Sequence, residues 1–464
     1  MINNTNDKQE KLHIAHAMDI YLPTVDGVVQ CMHQYCTNLS KEHDVTALVP
    51  KNEKNYVDNF PYKVIRCKST YIPIAKYYYG NPSGDAKFKK KVEECNFDII
   101  HVHSPFKMAK FAISYAKKHN IPIVATFHTN FRPIFNDIFK SPAITESILT
   151  SFGNVYNKMD EIFVCSEGVA KQARSFGYKG KITLLPFGTE FEKCDNVETL
   201  KDEANQKLGL DPNELVFIFV GRVMPLKRID FILESLKILK EKGISFKFYV
   251  VGKGMYLDKL KKLISILNLE ENVVFMGFVD REMFPLLYAR ADLLLFPSIY
   301  DNFGLVKVEA AAFSTAGVYV KNTQAGSGIL DKHNGFISED NPQDFANTIY
   351  NAIQDRERLK EIGINASNEI YYNWKDCTDK LVEQYRRIIN EKKTKLSEKE
   401  KKEKLKNTKP AVILRARRIE NNKEKLQRKE NRQYMKQENL QFANAKSFVK
   451  KTEQKIKKYQ IKEK

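Results

Sequence analysis

Phe296-Pro-Ser-Ile-Tyr-Asp-Asn-Phe-Gly-Leu-Val-Lys-Val-Glu309-Ala-Ala-Ala312 is the stretch that decides how this chain folds. The apolar run Leu293 to Phe296 reads as a strand that ends at a Pro-Ser turn. Asp301 follows, and Gly304 allows the chain to turn tightly. Seven residues separate Asp301 from Glu309, which opens a small-residue helical pattern, Glu-Ala-Ala-Ala. A strand, a glycine-containing loop and a helix start gather free backbone N–H groups into a corner suited to anions and hydroxyls. One acid would sit in the loop and the other on the first turns of the helix. Two acids near a helix start are also common in proteins with no site there, so the neighbouring segments matter.

Those neighbours repeat the strand-loop-helix pattern. Upstream of Leu293, the runs Val216 to Val220, Phe246 to Val251 and Val273 to Met276 read as strands. Arg228 to Lys242, Leu257 to Leu267 and Met283 to Ala289 read as helices. Residues 11–195 show the same alternation. Leu12 to Ala17, Val45 to Pro50, Asp98 to His103, Ile121 to Phe127, Glu161 to Ser166 and Ile182 to Pro186 read as strands, with helices at Val29 to Lys41 and Lys107 to Lys118. The fold class is α/β: two tandem doubly wound Rossmann-like domains, with ligand sites expected at the carboxyl ends of their strands. The segmentation runs 1–10 as a disordered N-terminus, 11–195 as a first domain and 196–373 as a second. Residues 374–390 form a helix returning to the first domain, and 391–464 a tail.

The formal charge of +19 over 464 residues belongs almost wholly to that tail. Residues 391–464 hold 26 Lys+Arg against 10 Asp+Glu, leaving 50 basic against 47 acidic residues in the body. A near-neutral body without a nucleic-acid motif argues against a nucleic-acid-binding protein. The tail reads as a charged, partly disordered helix interrupted at Pro410. Its sparse apolar side chains (Ile419, Leu426, Leu440, Phe448, Ile456) are candidates for docking on anionic lipid. Seven scattered cysteines without a Cys-x-x-Cys pair give neither a disulfide framework nor a zinc site, which suits a reducing cytosol. Met1 to Glu10 is polar and reads as no targeting signal, and no apolar run approaches a membrane span.

Several segments carry chemistry. Val220-Gly-Arg222-Val-Met-Pro-Leu-Lys227 joins a strand to a helix and presents two cations able to clamp a diphosphate. Val250-Val-Gly252-Lys-Gly254 and Phe275-Met-Gly277-Phe278-Val279 close the next two strands. In the first domain, Asp26-Gly27 opens a helix where backbone could approach a phosphate, and His128 ends the strand-like Ala125-Thr-Phe-His-Thr129. Taken in order with Asp301 and Glu309, these segments resemble the retaining nucleotide-sugar glycosyltransferases of family 4, which have the GT-B fold of two domains facing across a cleft. The resemblance covers residues 11–390. Its acid-seven-acid signature usually begins with Glu, where this chain has Asp301. The wording around Asp301 and Glu309 is nearest to the diacylglycerol glucosyltransferase branch.

The resemblance implies a role for each matching residue. Arg222 and Lys227 would hold the donor diphosphate without a metal ion, and Gly27 would adjoin it from the first domain. Gly252, Phe278 and Val279 would frame the base, and Glu309 would bind the ribose. Asp301, with the amides of Phe303, Gly304 and Leu305, would grip the transferred sugar, and His128 would contact that sugar. It also implies hexose transfer with retention from a donor such as UDP-glucose. No cofactor or metal is expected, and the enzyme would be cytoplasmic, peripheral on the inner face of the membrane. The aromatic and basic segments Tyr71 to Tyr79, Lys87 to Lys91 and Phe131 to Phe139, which lie in or near loops, suit an anionic interface and a lipid acceptor.

Overall fold

A computed structural model describes residues 10–24, 27–52, 56–72, 77–299, 301–404 and 413–462. Residues 1–9, Asp26, residues 73–76, Tyr300 and Pro410 therefore lie outside the described residues, as do the side chains of Ile419 and Leu426. The chain forms two compact units. One comprises 1–165, 169–186 and 374–434, and the other 166–168, 187–373 and 435–464.

The strands of the first unit are β1 (His13–Ala17), β2 (Asp44–Pro50), β3 (Lys63–Cys67), β4 (Ser69–Ile72), β5 (Tyr77–Gly80), β6 (Ile99–Val102), β7 (Ile123–Thr126), β8 (Glu161–Val164) and β9 (Lys181–Leu184). Seven of them form a sheet in the order β3-β2-β1-β6-β7-β8-β9, every pair parallel. Near-continuous apolar runs such as Ile99 to Val102 follow from burial on both faces. β4 and β5 pair antiparallel as a separate hairpin. Two of the segments placed in or near loops are on short helices. Lys87 to Lys91 lies on the helix Ala86–Glu93, capped by the Asp85 carboxylate, and Phe131 to Phe139 adjoins the helix Arg132–Phe139. A left-handed Lys140 ends that second helix, and Ser141 then caps the helix Pro142–Tyr156.

The second unit is built on β10 (Val216–Val220), β11 (Lys247–Val251), β12 (Val273–Gly277), β13 (Leu293–Phe296), β14 (Gly317–Val320) and β15 (Phe336–Ser338). Their order is β12-β11-β10-β13-β14-β15, again parallel throughout. The sequence order reverses between β10 and β13, the position at which doubly wound sheets place their ligand sites. Residues 187–195, placed by composition in the first domain, belong with this unit. Phe191 packs against Phe284, Tyr288 and Phe313, and the Cys194 amide bonds to the Ala312 carbonyl.

The helix Trp374–Lys404 starts with Trp374 edge-on to Tyr35 and places Tyr385 in the core of the first unit. The helix Ile413–Lys462 ends on the second unit, so the tail read as a charged, partly disordered helix packs on protein over its last residues. Ala445, Thr452 and Ile456 are buried there, and Phe448 packs on Phe231. Phe448 and Ile456, candidates for lipid docking, are thus used in protein packing, whereas Leu440 is exposed.

Candidate active site

At the reversal point of the second sheet, the loops after β10 and β13 meet. Lys227 Nζ donates to both Asp301 oxygens at 2.6 and 2.7 Å, and Ser298 Oγ donates to Asp301 Oδ2 at 2.5 Å. The pair is largely shielded, with side-chain exposures of 13% and 20%, and Lys227 Nζ lies 5.4 Å from the centre of the Phe296 ring. The two residues, assigned to different parts of a ligand, are therefore bonded to one another. An incoming anion would compete with Asp301 for the ammonium, and a hydroxyl donor would compete with Lys227 for the carboxylate. Arg222, on the same loop as Lys227, is exposed.

Gly304 has φ 72°, and a Cβ there would stand 2.9 Å from Phe296 Cε1, so glycine is needed on both counts. This left-handed residue makes the helix open at Leu305 and run to Ala312. Glu309 therefore lies on the first turns of the helix, which opens earlier than its Glu-Ala-Ala-Ala pattern. Phe303 packs edge-on against Phe187 and lies under Lys307 Nζ, which donates to the Ala325 and Ser327 carbonyls.

Glu309 Oε2 accepts from the Tyr288 hydroxyl at 2.6 Å. Burial raises the Glu309 pKa above the ordinary glutamate value, and the nearby Glu190 adds to the rise. The Tyr288 hydrogen bond and Arg281 oppose it. Arg281 is itself paired with Glu190 at 2.6 Å. Sequence reasoning missed Tyr288, whose only local signal was a place on a predicted helix.

The glycine loops after β11 and β12 complete this rim. Gly252 has φ 134°, and a Cβ on it would fall 2.0 Å from the Gly221 carbonyl oxygen, so the first two loops touch backbone to backbone. Phe278 is 78% exposed, with Lys253 Nζ 5.1 Å from its ring centre, and Val279 packs partly into the core. An exposed ring at the carboxyl end of a strand offers a stacking surface for a flat group.

In the first unit, Gly27 opens the helix Gly27–Leu39, and among the described residues nothing outside its own helix and chain neighbours lies within 4 Å of a Cβ built on it. His128 follows β7, its Nε2 hydrogen-bonded to His103 Nδ1 at 2.9 Å, and burial holds its pKa down at about 3. Asp19, which sequence reasoning passed over, accepts from the Ser104 hydroxyl and from the Met108 amide. Burial lifts its pKa to about 6.

Residues 25–193 match the family described as Glycosyltransferase Family 4, and residues 201–369 match Glycosyl transferases group 1. With two parallel doubly wound sheets in tandem, the chain belongs to the GT-B glycosyltransferases and is a transferase enzyme. It is 25% identical to an alpha-monoglucosyldiacylglycerol synthase of Acholeplasma laidlawii, over 70% of this chain and 84% of that protein. A protein of the same name from Streptococcus pneumoniae is 25% identical over 69% of this chain and 73% of its own length. Among solved structures, Anabaena Alr3699/HepE in complex with UDP superposes with a TM-score of 0.65 at 18% identity, covering 80% of this chain and 99% of its own. The sucrose-phosphate synthase of Thermosynechococcus elongatus gives 0.66, at 18% identity and with 82% and 99% coverage.

Proposed function

We propose that this enzyme transfers a hexose from a UDP-sugar to a hydroxyl of a diacylglycerol-type lipid, with retention of anomeric configuration. The observation that carries the donor side is the Lys227–Asp301 pair at the sheet's reversal point. Lys227 passes from Asp301 to a diphosphate oxygen, joined by Arg222, and the two cations stabilise the charge that builds on the leaving group. Asp301, released, accepts hydrogen bonds from sugar hydroxyls, and the amides of Phe303, Gly304 and Leu305 lie beside it. Glu309 accepts from the ribose hydroxyls, and the base lies against Phe278 and Val279 near Gly252. By the family resemblance Gly27 is assigned to the donor phosphates and His128 to the transferred sugar. The leaving phosphate oxygen takes the acceptor's proton on the face where the new bond forms. Arg222 and Lys227 supply the positive charge, so this reading calls for no metal ion or other cofactor.

The lipid acceptor draws on the two curated relatives and on the first unit's surface. Ile138, Phe139 and Ile144 are 62%, 41% and 49% exposed around the turn between two helices, with Lys140 among them. Apolar side chains ringed by a cation suit shallow insertion at an anionic interface, and among the described residues no helix is long and apolar enough to cross a membrane. Incubation with UDP-glucose and diacylglycerol in anionic vesicles should yield an α-linked glucolipid. Ile138→Glu/Phe139→Glu should lower vesicle binding about tenfold or more while leaving UDP binding intact. Transfer to a soluble sugar with none to lipid would overturn the acceptor assignment.

A further inference from the structure

Lys436 to Lys458 of the helix Ile413–Lys462 lie in the second unit, and the two sides of this stretch have different chemistry. Glu438, Ala445, Thr452 and Ile456 are buried, and Phe448 and Val449 pack partly into the unit's core. Their helical spacing makes one inward stripe. Its edges are fastened: Gln441 donates to the Asn322 carbonyl at 3.1 Å, Lys455 pairs with Glu234 at 3.2 Å, and Lys259 pairs with Glu453. At 3.6 residues per turn, Lys436, Lys450, Lys451, Lys457 and Lys458 fall within about 60° of the direction opposite Ala445. All five are exposed. The acids of the stretch are Glu438, buried on the inward stripe, and Glu453, held by Lys259. The outward face of the helix therefore presents positive charge.

We propose that this lysine face is an electrostatic docking surface for an anionic bilayer, with the packed side of the helix anchoring it to the second unit. Lys436 and Lys458 are separated by about 33 Å of helix at 1.5 Å per residue, so the charges form a straight row that a planar array of headgroups can meet along its length. Each lysine near such a surface adds its own attraction to lipid of negative charge. The body of the chain, with 50 basic against 47 acidic residues, supplies no comparable pull. Leu440 is the large apolar side chain on the outward face, and Phe448 and Ile456 are turned inward. The helix consequently rests on headgroups without entering the acyl region, and its binding is Coulombic, unlike the shallow insertion assigned to Ile138 and Phe139.

A nucleic acid would also answer positive charge, but the face lacks what such a ligand uses. From residue 436 to residue 458 there is no arginine to fork onto phosphates or base edges. No aromatic ring stands among the five lysines to stack on bases, since Phe448 packs on Phe231.

The surface is independent of the donor and acceptor assigned above, and vesicles that contain neither can test it. Sedimentation of the full chain with vesicles of phosphatidylcholine and phosphatidylglycerol in equal parts should show binding that falls steeply from about 0.05 M to about 0.5 M NaCl, as the screening length shrinks. The variant K436Q/K450Q/K451Q/K457Q/K458Q should bind these vesicles at least about 30-fold more weakly at the lower salt concentration. Its affinity for vesicles of phosphatidylcholine alone should match that of the wild type. Arginine at the same five positions keeps the charge and should keep the binding. Both variants should melt with the wild type, because the side chains are exposed and Lys, Gln and Arg are similar helix formers. Wild-type binding of the glutamine variant to the anionic vesicles would overturn the proposal, as would loss of binding in the arginine variant. So would capture of a DNA or RNA duplex that the glutamine variant loses while its vesicle binding stays unchanged.

Discussion

Lys227→Ala and Asp301→Ala should affect nucleotide binding in opposite directions. In the unliganded site the Lys227 ammonium contacts both carboxylate oxygens of a side chain only 20% exposed. A unit-charge pair about 4 Å apart at an effective dielectric near 20 is worth about 4 kcal/mol. Halving this for water that enters the truncated site leaves about 2 kcal/mol, or roughly 30-fold in UDP affinity. The diphosphate gains charge as the glycosidic bond breaks, so kcat/KM should fall further, by about 10² to 10³. Removing Asp301 takes away the anion that competes with the diphosphate for Lys227. UDP should then bind as well as before, or up to about tenfold more tightly. Transfer should still fall about 10²-fold, because the sugar loses its acceptor of hydrogen bonds. Calorimetric titration with UDP and a radiolabelled transfer assay separate the two effects. If Asp301→Ala weakened UDP binding as much as Lys227→Ala, the competition between carboxylate and phosphate would be wrong, and Asp301 would be a plain support for the loop.

Glu309 has its folded pKa raised, so its ionisation works against the fold: stability is highest where the carboxyl is protonated and declines as pH rises past the ordinary glutamate range. Denaturant titrations should show Glu309→Gln flattening that slope and stabilising the free protein at pH 7, while UDP affinity drops by about 1–3 kcal/mol. Asp230, enclosed beneath Tyr256 and raised to about 6 by burial, has the same sign. Asp230→Asn should remove a loss of stability between about pH 4 and pH 6, measured the same way. Gly304→Ala should cost about 2 kcal/mol or more, read as a lowered melting temperature, from left-handed strain together with the 2.9 Å approach to Phe296. Phe448→Ala should destabilise the second unit by about 1–2 kcal/mol in the same measurement, since its ring lies 5.7 Å from that of Phe231. An unchanged melting temperature would mean the tail helix contributes nothing to that unit.

The strands that were legible in the sequence are those buried on both faces, where an apolar run has no other physical reading. Val216–Val220 and Leu293–Phe296 emerge with the bounds their composition gave them. Lys63–Cys67 escaped notice because it is the edge strand of its sheet and alternates Lys, Val, Ile, Arg with only two buried positions. β14 and β15 are short and follow the helix that ended the recognisable motif. The packing of the tail was hidden for another reason. Its inward face is built from Ala445, Thr452 and the occasional larger side chain, too small and polar to stand out among so many lysines.

The site divides along the same line. Lys227, Asp301 and Glu309 were singled out by the order in which several segments resemble one family, because each segment alone has an ordinary structural use. The bond between Lys227 and Asp301 depends instead on β10 and β13 lying side by side though β11 and β12 intervene in the chain, and strand order is a property of the whole sheet. His16, His103 and His128 are a stronger case. Each, taken alone, is a histidine near the end of an apolar strand, and packing is the ordinary explanation of such a residue. Only the β1-β6-β7 adjacency places their rings nitrogen to nitrogen.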